Sequence, residues 1–225
     1  MIDILIPTFG RSHRLSRVAA NVHAATTVPH YLVFIVERED GGSCAEAARL
    51  AAAGQCGWMI NEGAASYAGA VNTGYRHTSD PYFFLGSDDV YFHPGWAECV
   101  LAAAVPPFRV VGTNDTINDS VLAGIHATHY LVERGYIEEL GGVVDELPGT
   151  VLHEGYDHNY TDTEFIEVAT KRGVFTPCLE AVVEHMHFAF GKGPRDATAD
   201  RTIRRYSEDA RIYESRRPLW EHLTP

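Results

Sequence analysis

The 225-residue chain predicts an α/β fold with a mostly parallel sheet flanked by helices, and three observations carry that expectation. Short, unbroken apolar runs recur along the first half, each is followed by a segment with helical spacing, and each run ends in a polar or glycine-rich turn. Strands covered by helices on both faces have no solvent side, so they lose the polar alternation of an exposed sheet. A chain of this length can bury roughly 70–75% of the surface it exposes when unfolded, enough for one core without staples.

The elements follow in order. Residues 2–7 form an apolar strand, Leu15, Val18, Ala19 and Val22 mark a helix over 11–25, and 31–36 is a second strand. Ser43 is positioned to cap an alanine-rich helix over 44–53. A brief strand at 58–60, a helix over 66–77, a fourth strand at 82–85, a helix over 94–104 opened by Pro94, and a fifth strand at 109–111 complete this half. After residue 113 the rhythm changes: 125–132 alternates like an antiparallel strand, 136–140 is a short helix and 149–159 a loop. A helix follows over 162–172, a β-rich stretch over 174–188 and an arginine-rich, partly helical arm over 198–220. The domain expectation is one unit over 1–190, with halves 1–112 and 113–190 and an antiparallel smaller portion in the second, followed by the arm 191–225.

Composition excludes several functions. The formal charge is −12, and the arm holds eight of the 18 basic and six of the 30 acidic residues, which leaves residues 1–190 at −14. Such a body repels duplex nucleic acid. No window approaches the roughly 18 uninterrupted apolar residues of a membrane span, and the first residues read as a strand and not a leader, so the expected compartment is the cytoplasm. Cys44, Cys56, Cys99 and Cys178 form no C-x-x-C pair, which favours small buried hydrophobes over a zinc knuckle or a disulfide framework. Trp58 and Trp96 read as core more readily than as sugar-stacking platforms.

In an open parallel sheet, ligands sit beyond the carboxyl ends of the strands. There the segment YFFLGSDDVYF places Asp88 and Asp89 directly after an apolar strand. Adjacent carboxylates repel; solvent or a shared hard divalent cation relieves that repulsion. The pair is thus either a polar turn or part of a cation site. His185 and His187, two apart on a strand, share one face and are compatible with Mn²⁺. Asp162 and Glu164 either stabilise a helix start or supply a general base.

The ordered pieces ILIPTFGR, NEGAASYAGAVNTG, LGSDDVYFHPGW, YTDTEF and EHMHF, with an acidic loop after the second strand, resemble family 2 glycosyltransferases of the GT-A fold over most of residues 2–188. The resemblance implies a metal-dependent inverting transfer of a sugar from a nucleoside-diphosphate donor, UDP foremost, to a hydroxyl of a protein, glycan or small molecule. It implies that Pro7, Thr8 and Glu37, with Arg38 and Asp40 beside them, line the nucleoside pocket, and that Asn61, Gly63, Ala70 and Asn72 lie along the nucleotide and sugar. The family's D-x-D element falls on Gly86-Ser87-Asp88, so its first acid is missing; Asp88 becomes the first choice for Mn²⁺ or Mg²⁺, with Asp89 supporting and Ser87 at the donor. His187 completes the metal shell ahead of His185, and the family's E-D base pair reads Thr161-Asp162, leaving Asp162 as the base. Lys192 and Arg195, in the hinge-like GKGPRD, are expected to close over the diphosphate as a lid. A sugar nucleotidyltransferase and a non-catalytic nucleotide-sugar binding protein are the alternatives; the first should carry a phosphate loop richer in glycine than PTFGRSHR.

Overall fold

The computed structural model describes residues 1–224. Strand β1 (Ile2–Thr8) is buried along its whole length. Its apolar run is unbroken because both faces are covered. Ile2, Ile4 and Ile6 meet Leu15, Val18 and Val22 of helix α1 (Ser12–Ala25), while Leu5 points to the other side, among Val71 and Tyr75 of α3 (Tyr67–Arg76). Parallel strands β2 (His30–Val36) and β3 (Gly57–Ile60) extend the sheet on one side of β1, and β4 (Tyr82–Leu85) pairs with it in parallel on the other.

Helix α2 (Gly41–Ala52) connects β2 to β3, and its cap differs from the expectation. Asp40 is the cap: its carboxylate accepts the N–H of Ser43 at 3.1 Å, while the buried Ser43 hydroxyl has no partner among the described residues. Asp40 also accepts the Gly10 N–H at 2.6 Å, so one carboxylate ties the loops after β1 and β2 together.

Beyond β4 the sheet order is β3-β2-β1-β4-β7-β6-β8-β5. Strand β6 (Val110–Asn114) does not join β4 as a fifth parallel neighbour; β7 (Tyr130–Glu133) inserts between them, antiparallel to both. Only the end of the alternating 125–132 segment is strand, and Ile125 is exposed. The long β8 (Phe175–His185) runs parallel to β6 and carries β5 (Val90–Phe92) antiparallel at the sheet edge. The three-residue β5 and the short α5 (Asp119–Leu122) were not expected from the sequence. Helices α4 (Trp96–Ala103), α6 (Arg134–Leu140) and α7 (Thr161–Lys171) match the expected segments closely.

The C-terminal arm is a continuous 20-residue helix, α8 (Ala197–Arg216), followed by α9 (Pro218–Glu221). It builds a third apolar cluster, in which Tyr213 and Trp220 pack on Tyr156 and on Val168 of α7. Trp96 is buried beside Phe84 and Phe92, as expected for core, whereas Trp58, also expected in the core, is exposed. All four cysteines are free; Cys178 is buried and the other three are half-buried.

Candidate active site

A cleft of about 390 Å³ opens at the carboxyl ends of β1, β2 and β4. Pro7, Thr8, Glu37, Ser87, Asp88 and Asp89 form one wall. Asp162, from the first turn of α7, and residues 157–161 before it also line the cleft, with His185 at the end of β8, His187 just beyond it, and residues of α8. The topology therefore gathers the strand-end acids, the H-x-H pair and the acidic helix start into one space.

The acid pair is buried and held by two guanidinium groups. Asp88 accepts the Thr8 hydroxyl at 2.7 Å and Arg11 Nη1 at 2.9 Å, so each of its oxygens has a donor. Arg11 Nη1 also reaches Asp89 Oδ2 at 3.3 Å, and Arg14 Nη1 lies 3.5 and 3.7 Å from the two carboxylates. Burial and the neighbouring charge of Asp89 push the Asp88 carboxyl up to about 6. Burial opposes ionisation of Asp89 too, but His185, Arg11 and the Ser87 hydroxyl hold it well below the usual carboxylate range.

Ser87 donates its only hydroxyl proton to Asp89 Oδ1 at 2.7 Å. It can then only accept from His129 Nε2 at 3.0 Å, which leaves the buried His129 Nδ1 a bare acceptor without a partner among the described residues. Burial and the charge of His185 push His129 down to about 3, so this imidazole is neutral near pH 7.

In the same cleft, Asp162 Oδ1 accepts the Thr163 N–H at 2.8 Å and Oδ2 lies 3.2 Å from His126 Nε2. Burial alone would raise the Asp162 carboxyl; the hydrogen bond and charge of His126, the Thr163 N–H and the charge of His158 bring it below its ordinary value. The chain enters α7 through Tyr160 in the left-handed region, φ 65°. That turn is fixed from α8: the buried Asp209 accepts the N–H groups of Asp157, His158 and Asn159 at 2.9, 3.2 and 2.8 Å, and the Asn159 amide at 2.9 Å.

Other expected residues lie elsewhere. Ala70 lines the cleft, but Arg38 is exposed outside it. Asn61 stands behind Glu37, donating to its Oε1 at 2.8 Å. Gly63 lies against Glu154, whose Oε2 would be 2.9 Å from an added Cβ. Asn72 is a buried staple: its amide donates to the Leu152 carbonyl at 2.8 Å, and its Oδ1 accepts the N–H groups of Val151 and Leu152 at 3.0 Å. Lys192 bonds Glu184 at 2.6 Å and Thr116 at 2.7 Å, and the exposed Arg195 pairs with Asp200. The basic side chains that line the cleft are Arg11 and Arg201 instead. No individual role was anticipated for Arg11, Arg14, Arg201, His126, His129 or Asp209. Only Arg11 carried a usable signal, lying three residues beyond Thr8 at a strand end.

The expected cation finds two ligand atoms side by side: Asp89 Oδ1 and His185 Nε2 are 3.5 Å apart. Two ligands about 2.1 Å from one ion lie at such a separation. No protein-only cluster of three His, Cys, Asp or Glu side chains is gathered for a metal among the described residues. A hard divalent ion commonly completes its shell with substrate phosphate oxygens, so two protein ligands fit it.

No protein-family model matches the chain, and no curated protein does. Among solved structures, it is similar to a mannosyltransferase from Pyrobaculum calidifontis in complex with GDP-Man and Mn²⁺, with TM-score 0.62 and 15% identity over 82% of this chain. It spans only 56% of that enzyme. A glucosyl-3-phosphoglycerate synthase from Mycobacterium tuberculosis, in complex with Mn²⁺, UDP-glucose and phosphoglyceric acid, aligns at TM-score 0.64 and 12% identity, over 99% of this chain and 81% of that one. TarS 1–349 from S. aureus aligns at TM-score 0.60 and 10% identity, over 81% and 59%. The chain has the GT-A fold. In this GT-A domain the cleft occupies the strand-end position where open α/β sheets bind ligands.

Proposed function

We propose that this chain is a nucleotide-sugar-dependent, inverting glycosyltransferase. The observation that carries the reading is the gathering, in one cleft of a GT-A fold, of a cation-ready Asp89–His185 edge and a half-buried carboxylate, Asp162. The cation-bearing neighbours, crystallised with UDP-glucose or GDP-mannose and Mn²⁺, support a nucleoside-diphosphate donor. In this reading Pro7, Thr8 and Glu37 meet the nucleoside, UDP being the first donor to test. Asp89 and His185 would hold Mn²⁺ or Mg²⁺, with Asp88 orienting Thr8 and Arg11 behind them and His187 at the rim, and a cation held there would supply Lewis-acid stabilisation of negative charge on the leaving diphosphate.

Arg11 and Arg14 add fixed positive charge beside the acid pair, the part assigned from sequence to Lys192 and Arg195. As the acceptor oxygen forms its bond to the anomeric carbon, its proton passes to Asp162. The bond between sugar and diphosphate breaks, and its electron pair leaves with the diphosphate. A base separate from the cation ligands suits attack from the face opposite the leaving group, which would invert the anomeric centre.

Incubation with UDP-, GDP- and TDP-sugars, with Mn²⁺ or chelator, tests the reading through nucleotide release. One donor should be turned over only with cation, and Asp89→Ala should abolish that turnover. Asp162→Asn should spare donor binding and lower transfer about 10²–10⁴-fold. Failure to bind any nucleotide sugar overturns the reading.

A further inference from the structure

The base has a partner that does not touch the cleft. Residues 123–129, between α5 and β7, bring His126 Nε2 to 3.2 Å from Asp162 Oδ2, yet His126 is not part of the cleft lining that Asp162 joins. Its side chain is 15% exposed and that of Asp162 28%, so the imidazole gives the base a second route to solvent beside the cleft. The charged groups facing it are Asp162 and Glu167 from α7 and Asp115 from the loop after β6. Asp115 is already committed to the N–H groups of Ile117 and Asn118 and to the Thr128 hydroxyl. Burial alone would make this imidazole harder to protonate, but the hydrogen bond and charge of Asp162, followed by the charges of Asp115 and Glu167, leave it more basic than an ordinary histidine.

Resting on the glycosyltransferase reading above, we propose that His126 is a positioning residue and proton sink behind Asp162. The acceptor hydroxyl gives its proton to Asp162, and Asp162 passes it from Oδ2 to Nε2 of neutral His126 in the tautomer that carries its own proton on Nδ1. The carboxylate is regenerated and an imidazolium forms, which releases the proton to solvent between turnovers. A carboxyl group is a stronger acid than an imidazolium, so the second transfer runs downhill. When His126 is already protonated, Nε2 has no lone pair to offer, and its positive charge makes Asp162 a weaker base. Transfer therefore rises with pH as His126 loses its proton, through an inflection above the ordinary histidine range.

The test is kcat and donor KM across about pH 5–9 for the wild type, His126→Gln, His126→Ala and Asp162→Asn. The glutamine amide can still donate to Asp162 but cannot titrate. His126→Gln should lose the rising limb and lower the plateau kcat about tenfold, with donor KM unchanged. Added imidazole should restore the limb in His126→Ala. Persistence of the limb in His126→Gln, an unchanged plateau, or a flat wild-type profile overturns the proposal. Full transfer by Asp162→Asn overturns the base assignment itself and this inference with it. Loss of transfer in Asp162→Asn alongside a wild-type profile in His126→Gln overturns the proton sink alone.

Discussion

Gly86 stands where the family this sequence resembles carries the first acid of its metal element, against the side-chain end of a core residue. A Cβ added there would lie 2.7 Å from Cδ1 of Ile6, a fully buried residue of β1. Restoring the acid by Gly86→Asp should therefore overpack the core and place a third carboxylate beside a buried pair. Overpacking alone costs about 1–3 kcal/mol, so thermal unfolding should shift down by several degrees. Gly86→Ala should show most of the shift, because the methyl already makes the contact, and an unshifted midpoint in both would refute the packing account. At this scale the sequence exposed residues whose place follows from a strand end: Asp88 and Asp89 after β4, Thr8 after β1, and Asp162 at a helix start. It hid residues whose role is a contact across the fold. Arg11, 77 residues from Asp88, and His126, 36 residues from Asp162, leave no local pattern.

The elements that shape the cleft differ in how far local sequence defines them. Strands β1, β2 and β4 are apolar runs between helices, and their pattern alone located them. The position of β7 between β4 and β6 is a choice of strand partner, which periodicity does not encode, and β5 is too short to show a period. Helix α8 was visible as an arginine-rich helical segment, but not its role as the wall that fixes the turn before the base. Asp209 on α8 is buried and holds three consecutive backbone N–H groups of that turn. Asp209→Ala leaves those donors without their acceptor. With about 1–3 kcal/mol lost for each buried group left unpaired, the variant should be destabilised by roughly 3 kcal/mol or more. Amide exchange at residues 157–160 should accelerate and transfer should fall, because Asp162 is placed by that turn. Asp209→Asn keeps one carbonyl acceptor and should sit between the two. Unchanged exchange in Asp209→Ala would mean that the turn holds itself.

Across the whole molecule, the acidic body and basic arm are joined by ion pairs that cross between them: Arg201 with Asp157, Arg216 with Glu164, Lys192 with Glu184, and Asp196 of the arm with Arg11 and Arg14. The arm's charge, that of Lys192 and Arg195 included, is thus largely matched by the protein's own side chains, and of its basic residues Arg201 lines the cleft. Removal of residues 191–225 should then unfold the protein and not merely weaken donor binding. It strips Tyr213 and Trp220 from Tyr156 and Val168 and leaves the fully buried Glu164 without Arg216. Breaking one buried pair by removing a single partner costs about 3–5 kcal/mol, against a total stability of about 5–15 kcal/mol. A single Arg216→Met substitution isolates that term: the urea midpoint should drop markedly with an unchanged slope. Glu164 also accepts the Tyr156 hydroxyl at 2.7 Å, so Glu164→Gln in the same chain keeps that bond while removing the charge. The double variant should recover most of the lost stability, since replacing both charges of a buried pair is often nearly neutral. If it is no more stable than Arg216→Met alone, what Arg216 contributes is its packing and its 3.2 Å bond to the Val144 carbonyl, and the charge pairing is not what holds the arm to the body.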